Sequence, residues 1–258
     1  MKGTVGFFAL LLVCSIPFYS LYSHSNSTFI FGNLAQLAGL AFAFRSYMNL
    51  SSTFSRSDPL RNAANLLTLG MFIWILGQAL EMYCELILNL IAYGTIADAI
   101  WVVGYFPMIA GLHTIWKVQW KAQYTGQWKS LRPLILISAA GYAILFWFLI
   151  WPQLLEKDQR ASESILDFLY PTLDFILMVQ CALIAWISKR DSNFFAFAVV
   201  TAIAMILTLI GDGVISLVKD FHSLAYLTVD IYYYSCYFLI AFAADLATTR
   251  RTSLVLNP

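Results

Sequence analysis

The stretch LLTLGMFIWILGQALEMYCELILNLI, residues 66–91, decides how the chain is read. It is long and apolar enough to cross a bilayer, which takes about 20 mostly apolar residues. Yet it carries Gln78, Glu81 and Glu85. These three are spaced three and four apart, so on a helix they share one face. A charge at the bilayer centre costs at least about 2.5–3.5 kcal/mol, which turns such a face toward a bundle interior or a wet cavity. A lone span has no interior, so this stretch implies neighbours.

The remaining sequence supplies them. Of 258 residues, 60% are hydrophobic and 11% charged, and the mean hydropathy is +0.74. A soluble domain carries about 25% charged residues. The apolar runs are unbroken, whereas a membrane barrel would alternate in segments of about ten residues. The sequence thus predicts an all-α polytopic membrane helix bundle with eight transmembrane helices, near 5–23, 29–49, 62–91, 94–118, 131–152, 163–187, 192–218 and 222–248. No Ser/Gly-rich hinge interrupts it, so residues 1–258 read as a single integral membrane domain. Residues 1–23 share the lysine and apolar run of a signal peptide. The run from Thr4 to Tyr22 exceeds the usual apolar region of about 7–15 residues, and no small-x-small cleavage site follows, which favours an anchored helix. Cleavage would leave seven helices and an external N-terminus.

Basic residues set the orientation. Lys2 precedes the first span, and Arg45, Arg56 and Arg61 flank the second connection. Lys117, Lys121, Lys129 and Arg132 occupy the fourth, Lys189 and Arg190 the sixth, and Arg250 and Arg251 follow the last span. The other connections hold Lys157, Arg160 and Lys219, each near an acid. The positive-inside rule then puts both termini in the cytoplasm of a cell-membrane protein. Trp116, Trp120, Trp128 and Trp186 fall at the cytoplasmic interface, and Tyr19, Tyr22, Tyr93 and Trp151 at the outer one. A net charge of +1 gives no electrostatic case for nucleic acid.

Three spans that start at the outer face share an Asp followed three residues later by an aromatic. These are Asp98 and Trp101, Asp167 and Tyr170, and Asp230 and Tyr233. Their separation suits a helical-hairpin repeat, with chance as the rival for so short a pattern. Asp98 and Asp167 lie in the first turns of their predicted spans and read as caps for free backbone N–H groups. Asp230 lies about 12 Å into its span and does not. Glu81 is expected roughly 15 Å below the outer end of its helix. Asp174, Asp212 and Asp230 join it in the outer half of the membrane, where no Lys or Arg is predicted to answer them.

Such carboxyls either stay protonated and hydrogen-bond to neighbours, or ionise beside a cation. Tyr83, Tyr105, Tyr170, Tyr232, Tyr233, Tyr234 and Tyr237 lie on the same helices, and aromatic faces beside carboxylates suit organic ammonium groups. Tyrosine hydroxyls serve equally well in a purely structural polar network. Pro107, Pro171, Gly211 and Gly213 punctuate the same zone, where they kink helices or free carbonyls toward a cavity, unless the glycines only serve packing.

Several chemistries find no support. His24, His113 and His222 lack HExxH or zinc-ligand spacing, and no Walker A loop, GxGxxG turn or GxSxG elbow occurs. Cys14, Cys84, Cys181 and Cys236 are scattered singly and read as small buried side chains. The Asn26-Ser-Thr sequon lies on the predicted outer side. The sequence names no cofactor or metal and points away from an enzyme.

In ADAIWVVGYFPMIAGL (97–112) and LDFLYPTLDFILM (166–178), the chain resembles the multi-helix membrane input domains of microbial signalling proteins. Those precede PAS, histidine kinase or diguanylate cyclase modules. The likeness spans roughly residues 66–190 and implies a sensory role with a cytoplasmic output. This chain stops shortly after its last predicted helix, at RRTSLVLNP, so the output is expected on a separate partner or on a segment outside it, unless the protein is no sensor.

The leading expectation is a membrane receptor or sensor-like module that binds a cationic or polar small ligand in an outward-facing acidic and aromatic cavity. Gln78, Glu81, Glu85, Asp174, Asp212, Asp230 and Tyr233 are the expected ligand-binding residues, with a membrane or cytoplasmic protein as partner. The rivals are a proton- or cation-coupled carrier and a structural subunit of a larger membrane complex.

Overall fold

A computed structural model describes residues 2–22, 26–88, 95–123, 131–155, 161–190, 192–217 and 224–256. Among them the regular structure is helical, with no strand. The helices are α1 (Lys2–Tyr22), α2 (Asn26–Ser52), α3 (Pro59–Leu86), α4 (Ile96–Gln123) and α5 (Arg132–Leu145). A π turn, Phe146–Ile150, leads into α6 (Trp151–Leu154), followed by α7 (Ala161–Ile187), α8 (Asn193–Leu217) and α9 (Leu224–Leu256).

Among the described residues, six stretches are long and apolar enough to cross a membrane. They are Pro59–Leu86, Ile96–Ala122, Arg132–Ile150, Ser162–Ile187, Asn193–Val214 and Val229–Thr249. The chain fits an integral membrane helical bundle. Of the eight expected spans, the first contributes a shorter apolar stretch, Thr4–Ser15. The second, α2, is 27 residues long but carries Asn33, Gln36 and Arg45.

Six helices close into a ring. Each packs on the next in the order α2, α3, α4, α7, α8, α9, and α9 returns to α2. The α1 helix lies outside against α9 and α2, while α5 lies outside against α7. The core fills the ring with Leu40 and Tyr47 of α2, Trp74 of α3, Met108 of α4, Leu177 of α7 and Phe197 of α8, all at most 2% exposed. By contrast, α5 buries no residue. Ile135, Leu136, Ile137 and Ile144 are all more than half exposed, which is tolerable where lipid replaces water.

Local sequence explains the element ends. Asp58 caps α3 by accepting from Leu60 N at 2.9 Å, with Pro59 at the first helical position, where its missing N–H costs nothing. The fifth expected span, 131–152, is not one α-helix. Pro152 lacks an N–H and its ring crowds the carbonyl four residues back, and just before it the helix widens to a π turn in which Trp151 N–H reaches Phe146 O.

Backbones approach closely between α3 and α4, where a Cβ on Gly70 would stand 3.0 Å from Gly104 O and one on Gly111 2.9 Å from Ala63 O. Gly70 and Gly77 on α3, and Gly104 and Gly111 on α4, are each seven residues apart and so share a face. The Met108 side chain lies over Gly70, the Trp74 ring over Gly104 and the Trp101 ring over Gly77. Helices without a hydrophobic drive toward each other gain from such close packing through small residues.

Three expectations need correction. The third span ends at Leu86 rather than near Ile91, which puts Glu81 about 8 Å from the helix end instead of 15 Å. Asp167 is no cap, because α7 begins at Ala161 and its first-turn acid is Glu163. Of the four cysteines, Cys14 is exposed on α1, while Cys84, Cys181 and Cys236 are buried as expected. Tyr19, Tyr22, Tyr93, Trp128, His24 and His222 lie outside the residues whose side chains are described.

Candidate functional site: a polar girdle

Every seam of the six-helix ring carries a polar side-chain pair. Between α2 and α3, Gln78 Nε2 donates to Asn33 Oδ1 at 2.8 Å. Between α3 and α4, Trp101 Nε1 donates to Glu81 Oε2 at 3.1 Å. Two bonds tie α4 to α7: Tyr170 Oη to Asp98 Oδ1 and Tyr105 Oη to Asp174 Oδ1, both 2.7 Å. Between α7 and α8, the Thr208 hydroxyl faces the Asp174 carboxyl while donating to Met205 O. Tyr233 Oη donates to Asp212 Oδ1 at 2.6 Å between α9 and α8. Gln36 Nε2 closes the circuit by donating to Asp230 Oδ1 at 2.8 Å between α2 and α9.

The carboxyls of this girdle sense one another. Glu81 is within electrostatic reach of Asp98 and Asp230, and Asp174 of Asp212. Tyr237 is within reach of Glu81, Asp174 and Asp212 together. The basic residues of the described helices cluster elsewhere: Arg45, Arg61, Lys117 and Lys121 lie toward the opposite ends of α2, α3 and α4. Neutral donors therefore carry the network, namely indole N–H, tyrosine O–H and amide N–H.

Glycine makes room for two of these contacts. The Asp230 carboxyl lies directly against Gly32, one turn before Gln36, where any Cβ would displace it. The Tyr233 ring lies over Gly211, whose added Cβ would stand 3.2 Å from Cε1. Gly211 thus lets Tyr233 reach the neighbouring Asp212.

Of the expected site residues, Gln78, Glu81, Asp174, Asp212, Asp230 and Tyr233 come together in the girdle. Glu85 lies half-buried one turn nearer the end of α3. Asp174 is fully enclosed and Gln78 nearly so, whereas Glu81, Asp212 and Asp230 are half-buried. Asp174 also lies deeper than the others, about 20 Å from the first residue of α7.

Asp98 does the capping expected of it, since Oδ2 accepts from Thr95 N at 3.0 Å while Thr95 Oγ1 accepts from Ala97 N at 3.3 Å. Its other oxygen binds Tyr170, which the capping interpretation missed. Asn33 and Gln36 were missed altogether. Their three-residue spacing at the start of α2 parallels the Asp–aromatic pairs on α4, α7 and α9, with amides in place of acid and ring.

Two carboxyls retain unused capacity. Asp174 Oδ2 and Asp212 Oδ2 are both shut off from the surface and accept no hydrogen bond from the described residues. Removing the donor on the other oxygen should therefore be costly. Tyr105→Phe is expected to destabilise the fold by about 1–3 kcal/mol, read as a lower midpoint in detergent unfolding. Asp174→Asn, which keeps an acceptor for Tyr105, should cost less.

The fold and girdle define a class, an all-helical integral membrane bundle with an acidic and aromatic interior. Compared with protein-family models, curated proteins and solved structures, the chain matches none.

Proposed function

We propose that the chain is a receptor or sensor-like module of the cell membrane that takes a cationic or polar small ligand into its girdle. In this reading it crosses the bilayer eight times with both termini in the cytoplasm. Occupancy repacks the ring, and the change passes to a partner protein at the basic end.

One observation carries the reading. Carboxyls from five different helices converge within one closed ring, and each accepts a hydrogen bond from a neutral donor that a cationic ligand could replace. The half-buried Glu81, Glu85 and Asp230 form the entrance, and the half-buried Tyr233 supplies the aromatic wall for an ammonium group. Displacing the Trp101 or Gln36 bond would loosen α3 from α4, or α2 from α9, which is how occupancy would reach the far ends of the helices.

Thermal unfolding of the purified protein tests this, using choline, tetramethylammonium and polyamines against their neutral isosteres. A ligand at a hundred times its Kd adds about 2.7 kcal/mol, so a rise of several degrees is expected for one of the cations. Glu81→Gln should abolish that rise. No shift with any cation counts against the reading. Uptake of the stabilising compound into vesicles, lost in Glu81→Gln, would make the protein a carrier instead.

A further inference from the structure

We propose that Asp174 and Asp212 form one buried site for a single small monovalent cation, a proton or an alkali ion, held between the two Oδ2 atoms. The inference rests on the girdle as the functional site and identifies what occupies its sealed depth.

Three features of the geometry support it. Each carboxyl has one oxygen fixed by a tyrosine, Asp174 by Tyr105 and Asp212 by Tyr233, which aligns both groups from opposite sides of the ring. Each second oxygen is buried and accepts no hydrogen bond from the described residues. The two groups lie on adjacent helices within electrostatic reach of each other. Two carboxylates with their second oxygens shut off from water repel each other and lack solvation, so the pair cannot stay doubly ionised without a positive charge between them.

Size selects the occupant. Asp174 has no exposed surface, and Cys236 and Tyr237, both buried, lie beside the pair. Such enclosure of Asp174 excludes an organic ammonium and points to a bare ion or a proton as the occupant. The Thr208 hydroxyl facing Asp174 adds a neutral oxygen of the kind alkali ions favour.

The titratable groups facing the pair are Tyr105 from α4, Asp167 and Tyr170 from α7, and Tyr233, Cys236 and Tyr237 from α9. Among them only Asp167 is another carboxyl. A response that survives in Asp167→Asn but vanishes in Asp212→Asn thus belongs to the pair.

The experiment is thermal unfolding of the full chain at constant ionic strength, in sodium, potassium or N-methylglucamine chloride, from mildly acid to mildly alkaline pH. A melting temperature that rises by several degrees with sodium or potassium at fixed pH, and not in Asp212→Asn, identifies an alkali ion. A rise on acidification, independent of the salt and absent in Asp212→Asn, identifies a proton. Identical salt and pH responses in wild type, Asp174→Asn and Asp212→Asn would overturn the proposal. Should a variant fail to fold, infrared spectra of the wild type decide instead: carboxyl bands unchanged across all salts and pH values would equally overturn it. Because the alkali-ion effect is read against N-methylglucamine, itself an organic ammonium, and the proton effect is independent of the salt, a positive result here stands even if the choline and polyamine series fails.

Discussion

Trp74→Ala is expected to destabilise the bundle by about 3–5 kcal/mol, the range for removing a buried large aromatic. Trp74 is 1% exposed at the centre of the ring. Its ring meets Tyr105 edge-on at a centroid distance of 4.9 Å and lies 5.4 Å from Trp101 and 6.0 Å from Tyr237. Lipid tails are as apolar as this interior, so the loss is mainly one of dispersion contacts around a void. The indole N–H also donates to Trp101 O at 3.0 Å, and Trp101 in turn holds Glu81. The variant should therefore lose cation-induced stabilisation as well as basal stability. Unfolding of the purified variant by a denaturing detergent measures the first effect and ligand titration the second. Trp186→Ala, at a position 52% exposed, should stay within about 0.5 kcal/mol of wild type.

Gly104→Leu is expected to be the second most damaging change, by about 3 kcal/mol or more, at the upper end of overpacking costs. The first added carbon would collide with the Trp74 ring and stand 3.3 Å from the Gly70 carbonyl oxygen. Neither obstacle can swing aside, because one is backbone and the other is packed on three sides. Withdrawal of α4 from α3 would then separate Trp101 from Glu81. Accumulation in the membrane and the midpoint of detergent unfolding should both fall. Gly6→Leu is the control, since nothing lies within 4 Å of a Cβ there.

Both variants act on the α3–α4 seam, and the girdle depends on it. Trp101 reaches Glu81 only because glycines let the two helices approach. Tyr105, one turn further along α4, carries the connection across to Asp174 on α7. A stability loss at this seam and a change in ligand response are thus expected to appear together.

Much of this was legible in the sequence because hydropathy and helical periodicity are local properties. The stretch 66–91 required a bundle, and the spacing of Gln78, Glu81 and Glu85 required an inward face. Asp174, Asp212 and Asp230 stood out because a carboxyl in an apolar run needs a reason wherever it lies. Amides do not stand out in that way, and Asn33 and Gln36 passed unnoticed although they serve the same girdle.

The pairings could not be read from the chain. Tyr170 binds Asp98, 72 residues away, rather than Asp167 on its own helix, and Tyr233 binds Asp212 rather than Asp230. Residues three apart on a helix share a face and point together toward a neighbour, so the repeated Asp–aromatic spacing announced contacts without naming partners. Which helix stands beside which is set by ring closure, which leaves α1 and α5 outside. That arrangement depends on contacts between residues far apart in sequence, and it alone set Asp174 and Asp212 on adjacent helices within electrostatic reach of each other.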